Sequence, residues 1–375
     1  MSSPAGHGPP PRAAVPGIID THTHFWDSGA FDRDGGLPGS TTYRLAPNVI
    51  ADLLFAARAS RADRDVIVTP RHVVRPYLPP DHRADAEGLL DAVGATVDGV
   101  VHVASSWTGH SPLHAATESA WIDSLNELPG TPIAGLVGFA DPRDEVFAAL
   151  LDAHIAAVVH GRFSGIRIVA GRHPDPEVRD WCDEDSLYQS PAFLRGFRHL
   201  AERGLIFEAC VYADQTPDVV ALAREFPEVT IVVDHLACPV GIFGPVGRHT
   251  GRSAAARASI RARWRDQVAA LADCPNVVMK ISGLGFALLG YGDQADGNIA
   301  DQSVLTDMVG PLIARCVEVF GPDRIVFGSN FPIDKANASM VMLVGSVLDV
   351  TGSLGADLVR NILRDNAIRV YGINT

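Results

Sequence analysis

GIIDTHTHFWD, residues 17–27, runs from an apolar, β-branched start into two histidines two positions apart. In an extended chain, residues i and i+2 point to the same side. The stretch therefore reads as a strand whose C-terminal end presents His22 and His24 together, with Asp20 below them on the same face. A surface strand end could carry the same letters, so the rest of the chain has to give the pair its meaning.

Seven further runs repeat the pattern of the first: GVVHVA (99–104), PIAGLVGF (132–139), SGIRIVA (164–170), LIFEACVY (205–212), VTIVVDH (229–235), NVVMKIS (276–282) and RIVFGSN (324–330). Amphipathic helical patterns separate them. SPAFLRGFRHLAERG is one such helix, with Ser190 as N-cap, Pro191 at the first helical position and Gly204 as C-cap. Strands that are apolar throughout, each followed by a helix, imply parallel strands covered by helices. Eight such units predict an α/β fold, a single (β/α)8 TIM-like barrel, with residues 1–16 as a disordered leader and residues 17–375 as the barrel. A doubly wound open sheet is the alternative, but Gly-x-Gly-x-x-Gly does not follow the first strand. DVIVT (65–69) reads as an excursion before the second barrel strand. The connections 26–47, 69–87, 239–252 and the stretch after the seventh strand are long for a minimal barrel. All but the second follow a strand's C-terminal end, where barrel active sites sit.

The totals narrow the function. The 375 residues are 47% hydrophobic and 20% charged, a soluble globular composition, with no run long enough to span a membrane. The Pro/Gly/Ala-rich start lacks the apolar core of a secretion signal, so a cytoplasmic location is expected. A net charge of −13 argues against nucleic acid or an anionic membrane as partner. A small-molecule substrate is expected, and a homo-oligomer is open. Five dispersed cysteines without Cys-x-x-Cys indicate reduced thiols and no cysteine zinc site.

Barrel geometry brings the strand ends together. His22 and His24 end strand 1, His235 ends strand 6, and Asn330 ends strand 8 with Asp334 just beyond. Three imidazoles at one mouth could hold one divalent metal, with zinc suited to the ligand type. A carboxylate from strand 8 could act as base on water.

These segments resemble the amidohydrolase superfamily: GIIDTHTHFWD, VVDHLACP (232–239), FGSNFPIDK (327–335) and ILRDNAIRVYGI (362–373). The similarity is to the branch of 2-pyrone-4,6-dicarboxylate lactonase and the sugar-lactone lactonases. FEACVYADQTPDVVALAREFPEVTIVVDH and NVVMKISGLG add to it. The resemblance implies a distorted barrel hydrolysing a lactone or related acyl bond, with His22, His24 and His235 as metal ligands or, without metal, as groups that polarise the carbonyl. Members with two metals bridge them by a carboxylated lysine on strand 4. Here the lysines are Lys280 and Lys335 alone, so any centre is mononuclear. The strand-8 position that is usually Asp is Asn330, which cannot take a proton from water. Asp334 is the expected substitute.

Strand parity and loop position nominate Arg167, Tyr212, Lys280, Ser282 and Trp26 as substrate-binding. Arg167 and Lys280 would meet a substrate carboxylate or a developing oxyanion, or else an internal partner such as Glu208 or Asp141. The expected function is hydrolysis of a small carboxylated lactone. The alternatives are metal-dependent decarboxylation on the same fold, or a barrel that has lost hydrolysis through Asn330 and binds or rearranges a small molecule.

Overall fold

A computed structural model describes residues 15, 17–27, 45–105, 112–291 and 299–374. Most of the 1–16 leader and of the 26–47 connection lies outside the described residues, although Val15 is buried in the core.

The β-branched runs form eight strands: β1 (Ile18–Thr23), β2 (Val97–Val103), β3 (Ile133–Gly138), β4 (Phe163–Val169), β5 (Ile206–Cys210), β6 (Ile231–Val233), β7 (Val277–Ile281) and β8 (Ile325–Phe327). They pair in sequence order, β1 with β2 through β7 with β8, and each of these pairings is parallel. A helix follows each strand: α1 (Gly88–Val93), α2 (Ala115–Ser124), α3 (Phe147–Ala157), α4 (Pro191–Glu202), α5 (Thr216–Glu225), α6 (Ala254–Ala272), α7 (Gln302–Phe320) and α8 (Met340–Thr351). Ser190 caps α4 by accepting from the Phe193 N–H at 3.4 Å. The 65–69 run is no strand. Ser60 caps a helix over Arg61–Val66, and Thr69 caps a short turn.

Alternate residues of each strand serve different layers. Ile18, Val100, Leu136, Phe207, Ile231, Val277 and Ile325 belong to the layer beneath the helices. Ile19, Val101, Val137, Val232, Val278 and Val326 fill the barrel interior. Burying each such side chain contributes about 1.5–3 kcal/mol. The helix Asn366–Tyr371 floors the barrel. Its Ala367, Val370 and Tyr371 join the interior cluster, and Ser164 at the start of β4 donates to the Tyr371 carbonyl at 2.8 Å.

The circle closes between β1 and the segment after β8. The Thr21 hydroxyl donates to the Phe327 carbonyl at 2.7 Å. The Asn330 N–H donates to the His22 carbonyl at 2.7 Å, and the His24 N–H to the Phe331 carbonyl at 2.8 Å. Gly328 permits this approach, because a Cβ there would lie 2.5 Å from that of His22.

Candidate active site at the barrel mouth

Simple alternation fails at the end of β1. The register of the β1–β2 pair shifts between Asp20 and Thr23, an irregularity of the kind that re-aims side chains beside active sites. Asp20 therefore does not lie below the histidines. It receives the His22 and Ser329 N–H groups at 3.1 and 2.8 Å. Its other oxygen meets His82, on the helix Pro79–Ala86, at 3.0 Å. His22 is turned inward, its ring centroid 5.0 Å from that of His24 and 4.6 Å from that of His235. The three histidines do meet.

Each ring is held differently. The Val103 carbonyl only accepts, so the 2.7 Å contact to His24 Nδ1 fixes the proton there and leaves a lone pair on Nε2. His235 Nδ1 lies 2.9 Å from the Ser282 hydroxyl, which also accepts the His235 N–H at 3.3 Å. His235 begins a left-handed turn, with φ of 55°, 56°, 59° and 35° at His235, Leu236, Ala237 and Cys238. Left-handed helical backbone costs about 1–2 kcal/mol per non-glycine residue. The turn is braced from α6, whose Trp264 indole N–H donates to the Leu236 carbonyl at 2.8 Å. Burial holds all three imidazoles below their usual pKa, with Arg167 adding to the effect on His24 and Lys280 on His22. His235 is pushed down to about 4. The rings are neutral near pH 7, the form that ligates metals.

The carboxylate beside them is Asp234, not Asp334. Atoms of His22, Asp234 and His235 lie within 4.8 Å of one another, in the geometry of a cation site. Asp234 is buried, and neither of its oxygens has a hydrogen-bond partner. Burial would raise its pKa, but the Lys280 ammonium at 3.1 Å and the His22 ring hold it well below the carboxylate range. Its side chain shares the inward parity of Val232. The period of two along VTIVVDH puts it there, so the sequence carries this signal.

Asp334 stands behind Asn330. It accepts from the Asn330 amide at 2.7 Å and from the Gly285 N–H at 2.8 Å. Burial pushes its pKa up to about 7 against those two donors.

Among the expected substrate-binding residues, Arg167 alone combines contact with the cluster and some exposure. Its Nη1 is 3.2 Å from His22 Nε2 and 3.7 Å from Asp234 Oδ2, and its Nη2 donates to the Ala104 carbonyl at 2.7 Å. Its side chain is 11% exposed. Lys280 is fully buried and pairs internally, at 2.6 Å from Glu208 as well as with Asp234. Glu208, pushed up to about 7 by burial with Lys280 opposing, also accepts from the Tyr371 hydroxyl at 2.6 Å. Asp141 pairs with Arg143 instead. Ser282 serves His235. The Tyr212 hydroxyl is committed to the 179–181 segment, donating to the Arg179 carbonyl and accepting from the Trp181 indole. Trp26 is buried, stacks beside His24 with centroids 6.4 Å apart, and donates its N–H to the Arg75 carbonyl at 2.7 Å.

The donor set suits a divalent cation in type: neutral imidazoles and a carboxylate without hydrogen bonds. Among the described residues it is the only such cluster, and no helix is long and apolar enough to cross a membrane.

The protein is similar to known proteins over nearly its whole length. It is 29% identical over 358 residues to the uncharacterized protein y4mH of Sinorhizobium fredii, covering 95% of this chain and 98% of that one. It is 26% identical to an L-fucono-1,5-lactonase of Burkholderia ambifaria, covering 84% of this chain and 81% of that one. A crystal structure of a Burkholderia multivorans amidohydrolase with bound zinc superposes with a TM-score of 0.65 at 21% identity, over 96% of this chain and 100% of that one. A 5-carboxyvanillate decarboxylase of Novosphingobium aromaticivorans, complexed with manganese, shares the fold at a TM-score of 0.51 and 15% identity, over 95% of this chain and 96% of that one. The amidohydrolase family profile matches residues 19–373. This chain belongs to the amidohydrolase family, and it is a hydrolytic enzyme of that family on an eight-stranded parallel barrel.

Proposed function

We propose that the enzyme opens a small lactone bearing an anionic group, by addition of water to the ring carbonyl at the His22–Asp234–His235 cluster. The observation that carries this is Asp234, a buried carboxylate ion-paired with Lys280 at 3.1 Å, beside the neutral imidazoles of His22 and His235 and, on its other oxygen, 3.7 Å from the Arg167 guanidinium. The 26% identity to a sugar-acid lactonase supports the lactone class. The decarboxylase shares the fold at 15% identity, which carries no reaction with it.

His22, Asp234 and His235 would hold one divalent cation. Such an ion polarises a carbonyl and lowers the pKa of water. The remaining work falls to the chain's own groups. His24 Nε2, with its lone pair fixed by the Val103 carbonyl on the other nitrogen, accepts the water proton and returns it to the ring oxygen as the acyl C–O bond breaks, which leaves the opened hydroxy acid. Arg167 receives the negative charge that develops on the carbonyl oxygen, or the substrate's anionic group. Asp334 orients the Asn330 amide and takes no proton from water.

The test is hydrolysis of a panel of sugar-acid 1,5-lactones, followed by acid release in weak buffer. The wild type should turn over at least one of them. His24→Asn should lose roughly 10²–10⁴-fold in kcat, the scale of a removed general base, and Asp234→Asn, which removes a ligand of the proposed cation, should lose activity together with metal affinity. If no lactone reacts while a hydroxybenzoate loses CO2, the reading gives way to decarboxylation.

A further inference from the structure

His22 sits between two cations. Lys280 Nζ is 3.1 Å from its Nδ1, and Arg167 Nη1 is 3.2 Å from its Nε2. A neutral imidazole has one lone pair and one N–H, so it can accept from only one of them. The two cations differ in what holds them. Lys280 is fully buried, bonded to Glu208 at 2.6 Å, ion-paired with Asp234 at 3.1 Å, and placed 5.6 Å from the centroid of the Tyr371 ring. It has nowhere to go. Arg167 reaches solvent, and the Ala104 carbonyl is its one firm hydrogen bond outside the cluster. With its proton on Nδ1, facing Asp234 Oδ1 at 3.5 Å, His22 carries its lone pair on Nε2; that is the nitrogen that can take a metal, and the residue that must move to free it is Arg167. That movement also uncovers Asp234 Oδ2, 3.7 Å from the same guanidinium.

We propose that Arg167 competes with the metal for His22 and Asp234, so that an anionic ligand which draws the guanidinium toward the mouth makes the cation bind more tightly. Metal and anionic substrate then favour each other, as thermodynamic linkage requires of any such coupling. The inference rests on the metal-site reading above and adds to it the ordering role of Arg167. Like charges repel, so a guanidinium lodged against the ligand atoms of a dication opposes its binding, and displacing it has a measurable consequence.

The experiment reads zinc affinity rather than turnover. Protein freed of metal by a chelator is titrated with Zn²⁺ against a chromophoric competitor, with and without saturating butyrate, a monocarboxylate that chelates zinc weakly. In the wild type, butyrate should lower the zinc Kd. Arg167→Met should bind zinc about tenfold or more tightly than the wild type without butyrate and show no butyrate response. Arg167→Gln supplies the same comparison if the Met variant folds poorly. Adding Asp234→Asn to either variant should abolish the gain. Equal zinc affinity in the wild type and in a folded Arg167 variant, a butyrate response that survives the substitution, or a gain indifferent to Asp234 each overturns the proposal. A zinc response of the expected form without lactone hydrolysis would remove the proposed reaction and leave the coupling standing. Hydrolysis with an Arg167-independent zinc Kd would do the reverse.

Discussion

Asn330 sits at φ 58° with its amide nitrogen on Asp334. The carboxyl expected to act as a base holds a neutral neighbour, and the proposed mechanism leaves it out of proton transfer. Its folded pKa of about 7 lies above the ordinary 3.8. Between those values the folded chain holds a proton that the unfolded chain has lost. The stability this group contributes is thus fully present below about pH 4 and falls as pH rises toward 7. Asp334→Asn keeps the shape and removes the titration. Thermal unfolding of the variant, relative to wild type, should improve on going from pH 5 to pH 8. A pH-independent difference would mean that Asp334 is solvated and ionised in the fold. The same variant separates the catalytic assignments: if Asp334 were the base, kcat would fall by roughly 10²–10⁴ and the wild-type acid limb would lie near pH 7. With Asp334 only supporting Asn330, the loss should stay within about tenfold, the scale of one lost hydrogen bond.

At the scale of elements, the strands were legible because a barrel strand is apolar on both faces and its period of two survives in the letters. The placing of His22, His24 and His235 at the ends of β1 and β6 followed from that alone. Asp20 was misplaced because the irregularity at the end of β1 arises where the chain meets Phe331 and Asn330, some 300 residues away. No local signal marks it. The hydroxyls of Tyr212 and Ser282 are held by the 179–181 segment and by His235, which strand parity does not show. Parity gives the side of a strand on which a residue stands, but the partner that claims its hydroxyl is set by loops whose course the sequence does not display. The left-handed turn after β6 was equally hidden, since HLAC contains no glycine. It supplies a prediction of its own. Ala237 has φ 59° and is buried, so Ala237→Gly removes one methyl while relieving the left-handed penalty. The variant should be more stable by up to about 1 kcal/mol, measured by urea unfolding. If the turn positions His235, activity should fall when its brace is removed. Trp264→Phe, which deletes the N–H donated to Leu236, should lower kcat several-fold with little change in KM. A purely structural Trp264 would lower stability and leave kcat alone.

At the scale of the whole molecule, floor and mouth are one electrostatic unit. The closing helix places Tyr371 inside the barrel, where its hydroxyl and the Lys280 ammonium both reach Glu208 Oε1 at 2.6 Å. Lys280 then meets Asp234 at 3.1 Å. The closing helix is thereby tied, through three side chains, to the carboxylate at the centre of the site. Burying these groups is costly unless each charge has a partner, and removing one partner leaves the others exposed to that cost. Tyr371→Phe keeps the ring near Lys280 and deletes a single donor. Glu208 would be left with Lys280 alone, and its other oxygen already lacks a partner. Loss of a hydrogen bond to a buried charged group costs about 1–3 kcal/mol, so the unfolding midpoint should fall measurably. Lys280 should also shift its weight from Asp234 toward the under-satisfied Glu208, which changes the field at the mouth. The expected signature is therefore double: lower stability, and a kcat that falls by more than KM rises. Glu208→Gln acts from the other side. It removes the anion that shares Lys280, so the ammonium should bind Asp234 more closely and zinc affinity at that carboxylate should weaken. If Tyr371→Phe and Glu208→Gln both destabilise the fold but leave kcat and zinc affinity at wild-type values, the floor is a structural plug and the link to the mouth is absent.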